Sequence, residues 1–457
     1  MVKGFYEIVT FGCQMNEADS EAMAGLLEEA GYAPSSSGQP ADVVLLNTCA
    51  VRDHAEEKAY SHLGEYLAGK KNGLATIVGF AGCVAQKEGE ELLERFPALD
   101  LVMGPGNFLQ LPAYLDEIKK ENKRIVATGE EKKMVSATTS RQRRRGRQAS
   151  VTAMTGCDKF CSYCIVPYTR GREESRPPAD ILEEIKNLVA QDYREITLLG
   201  QSVNNYGSDL EERIDFSQLL RKIDQIPGDY RLRFTSPHPA DTDRELINCY
   251  DELDVLAANL HLPVQSGSNA VLERMNRNYT REDYLQIVEW IKSLDRYVTV
   301  STDVIVGFPG ETEADFADTV DLFKEVGFNK AYIYKYSPRS GTRAADMENT
   351  VPPEEISRRH QKLLELNDQL ARKVNQRLVG EIQEVFVEGY SPKSSPDSPQ
   401  FTGRTSTNDV VVFDALDEKY IGELVPVEIV EADSYTLFGE AKSKQVSGNC
   451  APAGAAR

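Results

Sequence analysis

Short apolar runs alternate with helical patterns over residues 1–130 of this chain and again over residues 148–375. This alternation is typical of βαβ units, which build parallel sheets. A chain of 457 residues is also expected to form about three domains, each large enough to bury a core. The sequence therefore predicts an α/β protein that begins with an open parallel α/β domain over residues 1–135.

Three of the N-terminal runs end in a cysteine, at Cys13, Cys49 and Cys83. Ligands of open α/β sheets lie at the carboxyl ends of the strands, so cysteines that follow neighbouring strands are expected to converge there. One free cysteine at a strand end is usually a small buried hydrophobe. Three equivalent positions instead favour a shared metal-type ligand. By contrast, Cys249 is predicted to lie in a helix core, and Cys450 falls in a Gly/Ala-rich tail.

A second α/β unit is predicted over residues 148–375, after a basic linker at 136–147. It carries six strand candidates, too few to close an eight-stranded barrel, so we expect a (βα)6 partial barrel that is open on one side. The predicted strands cover residues 150–155, 195–200, 230–236, 259–264, 297–307 and 330–336. The clearest helical patterns cover residues 178–191, 280–294 and 312–326.

The pattern changes to all-β after a charged helical stretch at residues 353–377. Apolar runs at 382–387, 410–413 and 424–430, with turn signals between them, predict a small antiparallel β-barrel over residues 376–442. Five-stranded barrels of this kind often bind RNA. Residues 443–457 have low complexity and are expected to form a disordered tail.

A compact CxxxCxxC loop holds three cysteines, Cys157, Cys161 and Cys164. Thiolates are the usual ligands of iron–sulfur clusters, and a four-iron cube normally takes four of them. A loop with three suggests a cluster whose fourth iron is left open for a small molecule. A zinc site would show four Cys/His ligands in paired units, and no fourth one lies near this loop. A disulfide framework is typical of short secreted chains, whereas this chain opens without a long apolar signal segment.

The formal net charge of −20 argues against an extensive nucleic-acid surface, because phosphate binding needs Lys and Arg. Any RNA site must therefore be a local basic surface. The linker offers one such run, either a solvated connection or a nucleic-acid arm: Arg141, Arg143, Arg144, Arg145 and Arg147. No run reaches the roughly 18–20 apolar residues that span a membrane, so a cytoplasmic protein is expected.

Apart from its tail, the chain resembles the methylthiotransferases, radical S-adenosylmethionine (SAM) enzymes with an N-terminal cluster domain, a radical SAM core and a C-terminal TRAM module. Its CxxxCxxC spacing is the one that radical SAM enzymes use. Four motifs are similar to those of the MiaB type, which modifies adenosine in tRNA: TFGCQMN at 10–16, NTCAVR at 47–52, GCVAQ at 82–86 and IVPYTRG at 165–171. The RimO branch would be expected to show GCPKN and PSMRG at two of these places, and the threonylcarbamoyladenosine branch GCKVN and NTCTVT.

The resemblance implies two [4Fe-4S] clusters. The one on the CxxxCxxC loop would chelate the amine and carboxylate of SAM, so that reduction releases a 5′-deoxyadenosyl radical. The auxiliary cluster, on the three strand-end cysteines, would hold a sulfur that a second SAM methylates. The methylthio group would then be joined to C2 of N6-isopentenyladenosine at position 37 of tRNA, a base extruded from the anticodon loop.

The resemblance and the strand positions also suggest residues that contact SAM and RNA. The SAM candidates lie in the cluster loop and at the ends of core strands, where turn chemistry alone also places Gly and polar residues: Tyr163, Gly200, Gln201, Ser236 and Gly307. The RNA candidates are the arginines of the linker together with Arg404. The barrel itself is acidic, with five Lys/Arg against thirteen Asp/Glu over residues 376–442, where RNA binding favours a basic surface.

Two rival interpretations remain at this point. One is the same chemistry on N6-threonylcarbamoyladenosine in tRNA or on a ribosomal-protein aspartate. The other is a binding protein whose clusters sense iron or stabilise the fold, and such a sensor would not cleave SAM. For the enzyme, the expected partners are a tRNA anticodon stem-loop and a low-potential electron donor such as flavodoxin or ferredoxin. We expect no membrane association and a monomer.

Overall fold

The N-terminal part of the chain is a parallel sheet flanked by helices. In the computed structural model, the residues described are 2–36, 39–51, 53–71, 77–129, 146–211, 213–415 and 417–442. The strands of this sheet are β1 (Gly4–Phe11), β2 (Tyr32–Pro34), β3 (Val43–Thr48), β4 (Ile77–Gly82), β5 (Leu101–Met103) and β6 (Ile125–Ala127). The helices are α1 (Gln14–Glu29), α2 (Asp53–Lys71), α3 (Cys83–Glu88), α4 (Glu90–Arg95) and α5 (Leu111–Glu121).

The strand order is β2-β1-β3-β4-β5-β6, with every neighbouring pair parallel. Both faces of β3 are buried: Val43 and Leu45 belong to one apolar cluster, and Val44 and Leu46 to another. This explains why the strand reads as a continuous apolar run rather than an alternating one. The predicted open parallel α/β domain is confirmed.

The central part is a set of parallel strands with helices packed outside them. Its strands are β7 (Gln148–Thr152), β8 (Met154–Thr155), β9 (Glu174–Ser175), β10 (Glu195–Leu199), β11 (Arg231–Phe234), β12 (Asn259–His261), β13 (Thr299–Val306) and β14 (Lys330–Lys335). Its helices are α6 (Val166–Thr169), α7 (Pro178–Ala190), α8 (Phe216–Asp224), α9 (Arg244–Glu252), α10 (Asn269–Arg274), α11 (Arg281–Lys292), α12 (Glu313–Val326) and α13 (Pro353–Asn375).

These strands confirm the predicted (βα)6 partial barrel. The strands β7, β10 and β11 form one parallel sheet, and β12, β13 and β14 form another. A parallel bridge between Leu232 and Leu256 connects the two. One large apolar cluster packs the strands against the surrounding helices, and it contains Cys249, as the sequence predicted. The small strands β8 and β9 pair with each other in antiparallel fashion.

The C-terminal part is a closed barrel with strand order β15-β16-β17-β19-β18. The strands are β15 (Ile382–Tyr390), β16 (Gln400–Thr405), β17 (Val410–Asp414), β18 (Leu424–Ala432) and β19 (Leu437–Ala441). The predicted small barrel is confirmed, with one refinement. Strand β19 closes the barrel between β17 and β18. It runs antiparallel to β18 and parallel to β17, so one of the five pairings is parallel.

The barrel docks on the amino ends of the core strands. Arg233 donates to the carbonyl oxygen of Thr405 at 2.6 Å, and Arg231 to that of Arg404 at 3.1 Å. Both guanidiniums also contact Glu195, the first residue of β10, at 3.1 and 3.4 Å. The barrel therefore lies at the end of the core opposite to the carboxyl ends of the strands.

The longest described helix, α13, has 23 residues and exposes charged side chains such as Glu354 and Arg358. Within the described residues, no helix combines the length and the apolar character needed to cross a membrane.

Candidate cluster-binding sites

Three cysteines meet at the carboxyl edge of the N-terminal sheet. Cys13 is the N-cap of α1, Cys49 follows β3, and Cys83 is the first residue of α3. They converge because β1, β3 and β4 are adjacent and end in register, with Phe11 opposite Thr48 and Thr48 opposite Gly82. A hydrogen bond links the thiols of Cys13 and Cys49, and Cys83 interacts electrostatically with both. We call these residues the N-terminal trio.

Two glycines allow the backbone to approach closely enough for this convergence. A Cβ atom on Gly12 would lie 2.9 Å from the Cβ of Cys49. A Cβ atom on Gly82, which has φ +93°, would lie 2.4 Å from the carbonyl oxygen of Thr48. Any larger residue at either position would push the cysteine-bearing segments apart.

A buried amide network lies beneath the N-terminal trio. The side-chain amide of Asn16 donates to the Oδ1 of Asn47 at 3.1 Å and to the carbonyl oxygen of Thr48 at 3.2 Å. Asn47 in turn donates to the carbonyl oxygen of Asn16 at 2.8 Å. The Oδ1 of Asn16 also accepts the N–H of Cys13 at 3.4 Å. The network fixes the start of α1 against the end of β3, a role that the motifs containing these asparagines did not reveal.

The thiols of the N-terminal trio differ in acidity. The hydrogen bond from Cys49, the Arg170 charge and backbone N–H groups at the start of α1 lower the pKa of Cys13 to about 6. The same thiol–thiol bond and burial raise the pKa of Cys49, and burial raises the pKa of Cys83. The surroundings of Cys13 therefore favour its thiolate, which is the form that binds metal.

The CxxxCxxC loop gathers the second trio, Cys157, Cys161 and Cys164, which we call the core trio. Its cysteines interact electrostatically with one another, and all six cysteines of the two trios are free thiols. Burial raises the pKa of Cys157 to about 11 and that of Cys164 to about 12. Metal binding at this loop must therefore release protons, as is general for thiolate sites.

The segment that follows α10 anchors this loop. The N–H of Ser162 donates to the carbonyl oxygen of Met275 at 2.9 Å, and its hydroxyl donates to that of Arg274 at 2.8 Å. The side-chain amide of Asn276 donates to the carbonyl oxygen of Phe160 at 3.0 Å. Phe160 and Asn276 both adopt the left-handed conformation, with φ of 46° and 56°. The loop is thus held in a conformation that its own sequence does not favour.

Arg277 places a buried positive charge beside the core trio. Its Nη1 donates to the Sγ of Cys161 at 3.4 Å, its Nη2 donates to the carbonyl oxygen of Pro263 at 2.9 Å, and its Nε donates to the hydroxyl of Tyr279 at 3.0 Å. A guanidinium in this place stabilises thiolates and reduces the net negative charge of whatever they bind. Sequence analysis did not identify Arg277, because no motif near residue 277 indicates that its side chain reaches Cys161.

The two trios suit a cluster better than a single ion. In the part of the chain that the structure describes, no three His, Cys, Asp or Glu side chains converge as the ligands of one metal ion do. A single zinc ion draws each sulfur to about 2.3 Å of one point, whereas thiolates of a four-iron cube each bind a different iron. Each trio has three free thiols, two of them buried and one half-buried, and this is the donor chemistry that such a cube requires.

Arg170 connects the two trios. It follows α6, only six residues after Cys164, and its Nη2 donates to the Oδ2 of Asp19 on α1 at 2.8 Å. The same guanidinium forms a hydrogen bond with Cys83 and interacts electrostatically with Cys13. Arg170 therefore ties the segment that follows the core trio to the N-terminal trio, a role that the sequence did not predict.

Around the core trio, the structure leaves several buried polar atoms without partners at the carboxyl ends of core strands. Within the described residues they are the Oε1 of Gln201 after β10, the Nε2 of His238 after β11 and the hydroxyl of Tyr336 after β14. Gln201 was predicted as a SAM contact, whereas His238 and Tyr336 were not. Three orphaned groups at one end of the core fit a bound polar ligand, because buried polar groups are otherwise paired.

The other residues predicted to contact SAM differ in whether their polar groups are available to a ligand. Tyr163 packs edge-on against Phe308 at 6.4 Å. Gly200 ends β10, and Ser236 lies in the left-handed conformation after β11 with φ of 59°. The N–H of Gly307 already donates to Glu311 at 2.6 Å, so this backbone donor is engaged within the protein.

Two of the predicted RNA contacts are ion-paired within the protein. Arg147 pairs with Asp192 at 3.0 Å and with Glu423 of the barrel. Arg404 pairs with Glu388 at 3.1 Å. The remaining candidates lie outside the described residues: Arg141, Arg143, Arg144 and Arg145.

Three family models match the chain. They are the uncharacterized protein family UPF0004 at residues 6–104, the Radical SAM superfamily at residues 151–323 and the TRAM domain at residues 376–442. The first contains the N-terminal trio and the second contains the core trio. The match to the Radical SAM superfamily indicates that the cofactors are an iron–sulfur cluster and SAM.

Solved structures show the same fold. A radical SAM methyltransferase, TsrM from Kitasatospora setae, with cobalamin and a [4Fe-4S] cluster bound, matches 76% of this chain and 74% of its own with a TM-score of 0.54 and 16% identity. The cobalamin-dependent SAM radical enzyme OxsB matches 78% of this chain and 56% of its own with a TM-score of 0.52 and 11% identity. At these identities the likeness concerns the fold alone.

Curated relatives match nearly the whole chain. The tRNA-2-methylthio-N(6)-dimethylallyladenosine synthase of Carboxydothermus hydrogenoformans is 44% identical over 96% of this chain and 99% of its own. The enzyme of the same name from Moorella thermoacetica is 44% identical over 95% of this chain and 98% of its own. The chain therefore belongs to the tRNA-2-methylthio-N(6)-dimethylallyladenosine synthases, the MiaB-type methylthiotransferases of the radical SAM superfamily.

Proposed function

We propose that this chain is a radical SAM tRNA methylthiotransferase. It converts N6-isopentenyladenosine at position 37 of tRNA to the 2-methylthio derivative, using one SAM as methyl donor and one as radical source. The names of the relatives support the tRNA substrate, and the TRAM match supports RNA as the partner. The observation that carries the proposal is the presence of two trios of free thiols, with Arg170, six residues after the last cysteine of the core trio, in contact with the N-terminal trio.

Each trio is proposed to hold one [4Fe-4S] cluster. The core trio leaves one iron open for the amine and carboxylate of SAM, and the N-terminal trio holds the auxiliary cluster. When bound, these clusters and SAM supply one-electron reduction, radical attack on an unactivated C–H bond, and the sulfur and methyl group to be transferred. The remaining roles belong to the side chains of the chain itself.

Side chains at the carboxyl ends of the core strands are proposed to seat the ligands. The amide of Gln201, the imidazole of His238 and the hydroxyl of Tyr336 each keep a buried polar atom available. Arg277 and Lys159 place positive charge at the same end, with Lys159 held by Asp241 at 2.6 Å. The proposed SAM-binding site is completed by residues that contribute backbone groups or packing: Tyr163, Gly200, Ser236 and Gly307. Burial at this end limits side reactions of a reactive intermediate.

The RNA is proposed to bind through its anticodon stem-loop. The arginines of the linker and Arg404 of the barrel would contact backbone phosphates, and the target base would be extruded toward the space between the two trios. We further propose a monomer that takes electrons from a flavodoxin or a ferredoxin. Because tRNA is the substrate, the reaction is placed in the cytoplasm.

Anaerobic reconstitution tests the proposal. The reduced protein should cleave SAM to 5′-deoxyadenosine and add a methylthio group to isopentenylated tRNA, detected by mass spectrometry of digested nucleosides. Parallel reactions with tRNA carrying N6-threonylcarbamoyladenosine and with ribosomal proteins should remain unlabelled. Absence of SAM cleavage would favour the iron sensor, and label in one of the parallel substrates would favour the corresponding branch.

A further inference from the structure

The contact between Arg170 and Asp19 is unusual among the ion pairs of the described structure because it adjoins two cysteines of the N-terminal trio. The two side chains are 5% and 11% exposed. Arg170 belongs to the radical SAM core and Asp19 to α1, so the pair spans the domain boundary. The guanidinium forms a hydrogen bond with Cys83 and acts electrostatically on Cys13, and the carboxylate acts on Cys83 with the opposite sign.

The surroundings hold this pair in place. Ile165, which directly follows Cys164, lies in the same buried apolar cluster as Cys83 and Val84. On the other side, Cys13 packs against a small cluster that contains Met15 and Leu199, the last residue of β10. The contact between the domains is therefore apolar and buried on both sides of the pair, and the guanidinium itself is fixed by its bond to Asp19.

We propose that Arg170 and Asp19 are positioning residues that set the reduction potential of the cluster held by the N-terminal trio. This inference rests on the proposed function, which places a cluster there. The potential of an iron–sulfur cluster depends on its net charge, on hydrogen bonds to its sulfurs and on its exposure to solvent. A cation that donates to a ligating sulfur stabilises the reduced, more negative state, and a neighbouring carboxylate destabilises it.

The two members of the pair therefore make opposite predictions. Arg170→Met removes the cation and one sulfur hydrogen bond, so the potential of the N-terminal cluster should become more negative. Asp19→Asn removes the anion but keeps the guanidinium, so the potential should become less negative. A role that is only structural gives no such reversal, because both substitutions break the same ion pair and would loosen the contact alike.

The experiment is a redox titration of the reconstituted full chain, followed by electron paramagnetic resonance. The signal of the N-terminal cluster is identified in a chain that carries Cys157→Ala, Cys161→Ala and Cys164→Ala. We expect shifts of opposite sign for Arg170→Met and Asp19→Asn relative to the parent. Arg170→Lys keeps the charge with fewer donors, so its potential should lie between those of the parent and Arg170→Met.

A matched control is available in the same domain. Lys70 pairs with Asp100 near the amino ends of β4 and β5, at the edge of the sheet opposite to the cysteines. Lys70→Met should lower stability without moving either cluster potential.

Shifts of the same sign, or no shift, in a parent that carries two clusters would overturn this inference and leave the proposed function standing. A parent with a single cluster would overturn both. If Arg170→Met does not fold, Asp19→Asn alone still tests the inference. Only the electrostatic role requires the reduction potential of the N-terminal cluster to become less negative in that variant.

Discussion

The guanidinium of Arg277 donates to the Sγ of Cys161 at 3.4 Å while it also holds the carbonyl oxygen of Pro263. Arg277→Leu should therefore weaken cluster retention at the core trio, because it removes a buried positive charge and leaves the carbonyl with only the longer bond from the Tyr279 hydroxyl, at 3.3 Å. A charge-assisted bond of this kind is worth about 1.5–3 kcal/mol. We expect lower iron content and slower release of 5′-deoxyadenosine, both measured after anaerobic desalting.

Tyr279→Phe is the control for this variant. It removes the hydroxyl that donates to the carbonyl oxygen of Val264 at 2.7 Å and accepts from the Nε of Arg277 at 3.0 Å, but it keeps the Arg277 charge beside Cys161. Iron content should stay near that of the parent. Equal losses in both variants would show that packing in this region, rather than charge, retains the cluster.

The two trios should be separable by iron content. The parent should carry about eight irons in two thiolate-ligated clusters. Cys157→Ala, Cys161→Ala and Cys164→Ala together should leave about four and abolish SAM cleavage. The corresponding replacement of Cys13, Cys49 and Cys83 should also leave about four but permit SAM cleavage while stopping sulfur transfer. Methylthiolated tRNA from the second variant would contradict the auxiliary role.

Strand positions were predictable because they depend on local patterns. The predicted strand at residues 195–200 is found at Glu195–Leu199, and that at 330–336 is found at Lys330–Lys335. The convergence of Cys13, Cys49 and Cys83 followed from a general rule, since adjacent parallel strands end at one edge. The strand predicted at 259–264 is shorter, at Asn259–His261, because the residues after it bond with side chains instead: the N–H of Val264 donates to Thr302 of β13, and the carbonyl oxygen of Leu262 accepts from Tyr284 of α11.

The residues that sequence reasoning missed act through distant partners. Arg170 meets Asp19, which lies 151 positions away, and Arg277 meets Cys161, which lies 116 positions away. Arg170 lies within the IVPYTRG motif, which indicated the family but not the partner of this residue, and Arg277 has no local pattern that distinguishes it from a solvated surface charge. Arg147 and Arg404 show the converse, because they were predicted from composition as phosphate contacts while the fold pairs them with Glu423 and Glu388. Ion pairs between different structural elements cannot be predicted before the elements are placed.

Docking of the barrel should depend on Arg233. Arg233→Met leaves the buried Glu195 with a longer contact to Arg231 and removes two bonds to carbonyl oxygens of the barrel. Breaking a buried ion pair typically costs about 3–5 kcal/mol. We expect a lower unfolding midpoint, measured by circular dichroism, and faster proteolysis near the exposed Val379, measured by gel electrophoresis.

A surface arginine of the same core provides the comparison. Arg221 pairs with Glu245 and Glu252 at the surface, and Arg221→Met should cost less than about 1 kcal/mol. If both variants lose the same stability, the contact of Arg233 with the barrel is not a docking interaction.

RNA affinity should respond to the partner of Arg404. If Arg404 contacts a phosphate, Glu388→Gln should strengthen binding of an anticodon stem-loop, because it frees the guanidinium from an acidic neighbour. Arg404→Ala should weaken binding and reduce the salt slope by about 1. Fluorescence anisotropy over a range of salt concentrations measures both. Glu431→Gln on β18 makes the same change in net charge, and an equal gain in affinity there would indicate a global charge effect instead.

The stability of the cluster-free protein should fall in acid because of His238. Burial and the nearby charges of Arg277 and Lys159 lower its pKa to about 2, whereas an unfolded histidine titrates near 6.5. The unfolded state therefore binds one more proton below pH 6.5, so folding stability is complete above that pH and is lost as the pH falls. The loss between pH 8 and pH 5 should be about 2 kcal/mol from this group.

The variant His238→Asn tests this prediction. In the parent, the N–H of Ala240 donates to the Nδ1 of His238 at 3.2 Å, and asparagine keeps an acceptor for it. The substitution should flatten the pH dependence of the urea midpoint. Equal slopes for His238→Asn and the parent would show that other groups control acid unfolding.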